Sequence, residues 1–168
     1  MSVNYNDYFC KLECCYWHEF DLAYGKLQVE NKTITIIGND CGSSALYFLL
    51  NGAKKIVGYE KSEELNKRFK EKVCKDFNIC DKVDTNGEWK GNEYPNTDIF
   101  IMDCEGCEKN LDVSQLQKYK QYCIAIHDWT ENKFELLKKL LVTKKVRNLI
   151  RDLKKKFVKN LIFVIKLR

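Results

Sequence analysis

Residues 33–60 read TITIIGNDCGSSALYFLLNGAKKIVGYE. The first five, Thr33–Ile37, are an unbroken β-branched run, the composition of a parallel strand buried on both faces. Gly38–Gly42 reads as a turn. Ser43–Asn51 reads as a helix whose buried side is Ala45, Leu46, Phe48, Leu49 and Leu50, and Gly52 stops it in the C′ position. Lys55–Tyr59 is a second strand, ending at Glu60. Strand, turn, helix and strand within one short span make a βαβ unit, and that unit decides the fold class as α/β.

The rest of the chain extends the same alternation. Ser62 is placed to cap a helix running to about Phe77, with Glu63 and Glu64 in its first turn, where the helix dipole favours acids. Strands are expected at Lys82–Thr85, Asp98–Met102, Cys123–Ile126 and Leu161–Leu167. Helices are expected at Val113–Tyr119, Asn132–Leu141 and Val146–Phe157. Upstream, residues 7–24 mix aromatics and cysteines at helical spacing, and Lys26–Glu30 reads as a small strand. The expectation is one domain over residues 1–168: a doubly wound, mostly parallel sheet with helices on both faces and right-handed crossovers. Ligands of such sheets bind beyond the carboxyl ends of the strands, so those residues are the ones to read for function.

The first strand end carries Gly38 and Gly42, where the backbone can approach a ligand and helix amides face the same space. Asp40 stands where the second glycine of GxGxxG would be, and no GK[ST] follows, so neither phosphate-binding fingerprint is present. An acid here repels a pyrophosphate and suits a ligand with a cationic end; a plain strand–helix turn would read the same way. Glu60 lies 22 residues after Gly38, the distance at which an acid accepts both ribose hydroxyls of an adenosine. A nucleoside site without a phosphate grip favours S-adenosylmethionine over NAD or ATP. Asn39 in the loop and Asp84 near the third strand end join Gly38, Asp40, Gly42, Glu60 and Asp103 as candidate cofactor-binding residues. Asp103, Glu105 and Glu108 follow the fourth strand, and three acids in six residues need solvent, a cation or donors. His127 ends the fifth strand, so it and Asp103 are the candidate catalytic pair, with histidine suited to taking a proton from an acceptor. An ordinary solvated loop and an ordinary capping histidine are the alternatives.

IIGNDCGSSALYFLLNGAKKIVGYEKSEE resembles the cofactor-binding start of class I S-adenosylmethionine-dependent methyltransferases. IFIMDCEGCE is similar to the K-I-D-x-E-G-x-E segment of their FkbM-type branch, and AIHDW is similar to its fifth strand. The resemblance spans roughly residues 30–130. It implies a glycine loop holding the amino-acid part of the cofactor, an acid holding the ribose, and methyl transfer to a hydroxyl on a sugar, nucleic acid or small molecule. The sequence departs from the family at Ile36, where an acid is usual, at Ile101, where a lysine is usual, and in the reduced final hairpin. The [DNS]PP[YFW] motif of enzymes that methylate exocyclic base nitrogens is replaced here by DCEG. A fold kept without catalysis, serving nucleic-acid binding or needing a partner, is the rival reading.

The 168 residues are 45% apolar and 32% charged, an ordinary globular balance. No stretch approaches a membrane span, and MSVNYNDYFCKLECC lacks a signal-peptide pattern, which leads to the expectation of a cytoplasmic protein. Little chain is left for a substrate domain, so the acceptor falls to the N-terminal helix, the 86–97 loop, or a partner subunit such as a second copy. From Lys138 to Arg168 there are twelve Lys or Arg and one acid, Asp152, so this segment carries +11 and residues 1–137 carry −6. The basic segment 138–159 is a candidate surface for nucleic acid or another polyanion, unless it is simply the wet face of amphipathic helices. Nine cysteines admit three uses: small buried hydrophobes, disulfides of the kind hyperthermophiles keep inside cells, or metal ligands. Their odd number leaves at least one unpaired within a monomer. Cys104 and Cys107 have CxxC spacing without a second pair, and Cys10, Cys14, Cys15 and His18 share one face of an expected helix, so no metal is assigned.

Overall fold

The computed structural model describes residues 3–141 and 161–166. Six strands form one sheet in the order β3-β2-β1-β4-β5-β6. They are β1 (Thr33–Ile37), β2 (Lys55–Tyr59), β3 (Val83–Asn86), β4 (Ile99–Met102), β5 (Gln121–His127) and β6 (Leu161–Lys166). The first five run parallel, and β6 closes the sheet antiparallel to β5. The strand order reverses between β1 and β4, which opens a crevice beyond their carboxyl ends.

Alternation along the strands feeds two cores. Ile34 and Ile36 of β1, with Ile99 and Ile101 of β4, pack against α3 (Ser43–Leu50) and the N-terminal helices α1 (Tyr5–Cys10) and α2 (Phe20–Tyr24). Ile37, Phe100, Met102, Ile124 and Ile126 face the other way, onto Leu116, Tyr119 and the helix α6 (Lys133–Leu141). Ser62 caps α4 (Glu63–Arg68), its hydroxyl accepting from the Leu65 amide at 3.3 Å. The helix continues through a π turn, Phe69–Val73, into α5 (Cys74–Asp76). Among the described residues, no helix is long and apolar enough to cross a membrane.

Several local expectations are corrected. Residues 7–24 do not form one helix: α1 ends at Cys10, Glu13 takes a positive φ of 63°, and a 3-10 turn at Trp17–Glu19 precedes α2. Tertiary partners override the periodicity, because the Arg68 guanidinium binds the Leu12 carbonyl and the Glu13 carboxylate. Residues 26–30 are not a strand; the Gln28 backbone pairs with the Gln121 side-chain amide, 3.0 Å in both directions, instead of with a neighbouring strand. Val113–Lys118 is a 3-10 helix rather than an α-helix. The expected helix 146–157 and most of the basic segment lie outside the described residues. The cysteines pair as Cys10–Cys15, Cys14–Cys41, Cys74–Cys80 and Cys104–Cys107, leaving Cys123 free and buried. The shared face drawn for Cys10, Cys14, Cys15 and His18 is therefore lost with the helix.

Candidate active site

Gly38 sets the geometry. Its φ is +84°, and a Cβ there would run into the Asp103 carbonyl oxygen, so the ends of β1 and β4 meet only because this residue is glycine. The Asp103 amide donates to the Ile37 carbonyl at 2.8 Å, while the Gly38 and Asn39 amides both donate to the Tyr59 carbonyl at 2.9 Å. Three strand ends are thereby tied to one loop.

Glu60 is buried and clamped. One carboxylate oxygen accepts from the Asp40 amide and the other from the Ser62 amide, each at 2.9 Å. Asp40, held at φ 54°, faces the same space. Burial pushes its carboxyl up to about 6; the Cys41 amide opposes this, while the charges of Glu60 and Glu105 add to it.

Beyond β4 and β5 lies a chain of three ionisable groups. The His127 Nδ1 is 2.5 Å from an oxygen of Glu108, whose other oxygen accepts from the Gly106 amide at 2.6 Å. The His127 Nε2 is 3.5 Å from Asp103, which also receives the Tyr24 hydroxyl at 3.5 Å. Burial pulls the His127 pKa down, but the Glu108 hydrogen bond and charge, with Asp103 and Glu105, leave it raised overall. Burial pushes Asp103 up to about 6, against the pull of His127 and with the push of Glu108 and Glu105. Histidine anchored through Nδ1 presents Nε2 to the cleft, the geometry a proton acceptor needs.

Gly38, Asp40, Glu60, Asp103 and His127 all line one cleft of about 680 Å³, within the ordinary range for small-molecule sites. Three expected residues do not line it. The Asn39 side chain is buried against Gly58, and its amide atoms have no hydrogen-bond partner among the described residues. Gly42 serves packing: a Cβ there would strike the Phe69 ring. Asp84 sits within β3, half exposed and 2.8 Å from Lys55. Residues that sequence reasoning missed also line the cleft. Tyr16 comes from the N-terminal segment without any sequence signal. Trp129 follows His127 by two residues, and their rings are 4.8 Å apart. Glu108, one acid of the 103–108 cluster, does not line the cleft but is buried against His127. Cys14, Asp40 and Cys41 bring three ligand-type atoms within 4.8 Å of one another, but the two sulfurs are bonded to each other and only the carboxylate is left for an ion.

The carboxyls of Asp40, Glu60 and Asp103 line one cleft, and the turn after β1 offers no GK[ST] for a phosphate chain. Solved structures share the architecture. A protein of Pyrococcus horikoshii provisionally described as an RNA methyltransferase superposes with a TM-score of 0.60 at 14% identity, over 98% of this chain and 94% of that one. An S-adenosylmethionine-dependent O-methyltransferase of Thermotoga maritima gives 0.64 at 18% identity, over 82% of this chain and 55% of that one. The fold is that of the class I S-adenosylmethionine-dependent methyltransferases. No protein-family model matches the chain. It is 75% identical over 141 residues to protein 158B of Sulfolobus islandicus rod-shaped virus 1, covering 84% of this chain and 89% of that one. It is 56% identical over 138 residues to protein 65 of Sulfolobus islandicus filamentous virus, covering 82% and 86%. Both relatives are described as uncharacterized, and the chain belongs to the family that these two virus proteins define.

Proposed function

We propose that this chain binds S-adenosylmethionine in the cleft and transfers its methyl group to an acceptor held beside Asp103 and His127. The observation that carries this reading is the convergence of Gly38, Asp40, Glu60, Asp103 and His127, from four strand ends, on one cleft. The cofactor would supply an electrophilic methyl carbon on a cationic sulfur. Glu60 would accept the ribose hydroxyls with its free lone pairs, and Asp40 would face the amino-acid end. Asp103 and His127 would orient the acceptor and take its proton, and burial of the site would keep water from competing. The resemblance in sequence points to a hydroxyl acceptor, and the two structural neighbours are described as acting on RNA and on oxygen.

Calorimetry with S-adenosylhomocysteine tests the reading. Glu60→Ala should weaken binding by about 1.5–3 kcal/mol, the scale of hydrogen bonds to a charged group. Unchanged affinity in the variant, or tight binding of NAD or ATP instead, would remove the assignment. The non-catalytic alternative rests on Ile36, buried where the family usually has an acid. Cofactor binding without transfer from labelled cofactor to amine, hydroxyl, RNA and protein acceptors would favour it.

A further inference from the structure

The mouth of the cleft has two further properties. The first is charge. Tyr16 sits among Glu105, Asp40, Asp103 and Glu19; burial foremost, then these carboxylates, raise its hydroxyl above the ordinary value. Among the described residues, no Lys or Arg forms an ion pair with Asp40, Asp103 or Glu105. Other acids of the wall do have partners: Glu13 is 2.7 Å from Arg68, and Glu131 is 3.2 Å from Lys109. The second property is a pair of exposed rings on the same cleft. Trp129 is 59% exposed and Tyr16 47%, although both are large enough to be worth burying.

Acids and aromatic faces together are the chemistry that recognises an organic ammonium, which binds a ring face through its quadrupole and a carboxylate through charge. A phosphate backbone would meet repulsion from Glu105 and Asp103, and a neutral sugar hydroxyl would leave the charge unused. We propose that the acceptor half of the cleft binds an alkyl ammonium group between Trp129 and Tyr16 and against Glu105 and Glu19, so that the nucleophile is an amine. This rests on the methyltransferase reading and names its substrate class. The bound ammonium must give one proton to Asp103 or to the His127 Nε2 before its nitrogen has a lone pair to react. Methyl transfer then exchanges a carbon–sulfur bond for a carbon–nitrogen bond, sulfur keeping the electron pair and the product nitrogen taking the positive charge.

A lysine side chain and a free polyamine offer the same chemistry, and the test separates them. Full-length protein without cofactor is titrated with spermidine, with a terminally blocked peptide DLKKKFVK matching residues 152–159, and with that peptide acetylated on its lysines. Binding is followed by calorimetry and by tryptophan fluorescence, to which Trp129 contributes a solvent-exposed ring. Spermidine or the free-lysine peptide should bind saturably, and the better of the two names the source. Trp129→Ala and Glu105→Gln should each weaken binding about three- to tenfold, while affinity for S-adenosylhomocysteine is retained. Equal binding of the acetylated peptide, or two indifferent variants, would overturn the proposal. Amine binding in a protein that fails to bind S-adenosylhomocysteine would remove the methyltransferase reading and leave the ammonium site standing.

Discussion

The buried carboxylate of Glu108 lies 2.5 Å from the Nδ1 of His127 and, from its other oxygen, 2.6 Å from the Gly106 amide. The histidine is thus fixed in ring orientation and in the edge it turns to the cleft. Its raised pKa means that the proton stabilises the folded state. That contribution is complete below the ordinary histidine value and is lost as pH rises through the folded value. Glu108→Gln should therefore lower the His127 pKa and cost about 1–3 kcal/mol, most at low pH and least at alkaline pH. The chain has two histidines, so NMR titration of the ring protons follows His127 directly. An unmoved titration would show that Glu108 does not set it.

Asp103 behaves in the opposite sense. Its carboxyl titrates near 6 rather than 3.8, so the folded state holds a proton that the unfolded chain has released between those values. Stability on this account falls as pH rises from about 4 to 6 and stays reduced above that range. Asp103→Asn should stabilise the protein at neutral pH by about 1–3 kcal/mol while abolishing the proposed methyl transfer. Thermal melts at pH 4 and pH 8 check this: the gain should appear at the higher pH only.

Gly38→Ala should be among the most damaging single changes. Positive φ alone costs about 1–3 kcal/mol for a non-glycine residue, and the Cβ would also meet the Asp103 carbonyl. Chemical denaturation should show that loss, and cofactor affinity should fall with it because β1 and β4 can no longer close.

The basic segment is expected to act apart from the cleft. If residues 138–159 bind polyanions, affinity for RNA or DNA should fall steeply with salt. It should fall again when Lys154, Lys155 and Lys156 are changed to Glu, and be indifferent to Trp129→Ala. Anisotropy at two salt concentrations reads all three, and salt-independent binding would return the segment to an ordinary solvated face.

The parts of the molecule with local causes were legible in the sequence. A β-branched run, a glycine turn and an apolar helix face specify residues 33–60 without help from the rest of the chain, and the rule of strand ends picks out Asp40, Glu60, Asp103 and His127. What escaped depends on distant partners. The N-terminal segment is bent by Arg68, 55 residues from Glu13 in sequence. Glu108 reaches His127 only because Gly106, at φ +118°, turns the chain back into a 3-10 helix. Asp84 lies in mid-strand with its carboxylate on Lys55 of the neighbouring β2, a pairing across strands that no local pattern announces.

The bond between Cys14 and Cys41 joins the N-terminal segment, which carries Glu13, Tyr16 and Glu19 over the cleft, to the loop beneath the proposed cofactor. With that stitch in place, this wall cannot swing aside as a hinged flap would. Ligand exchange then takes place with Glu13, Tyr16 and Glu19 held in a fixed relation to the loop that carries Asp40.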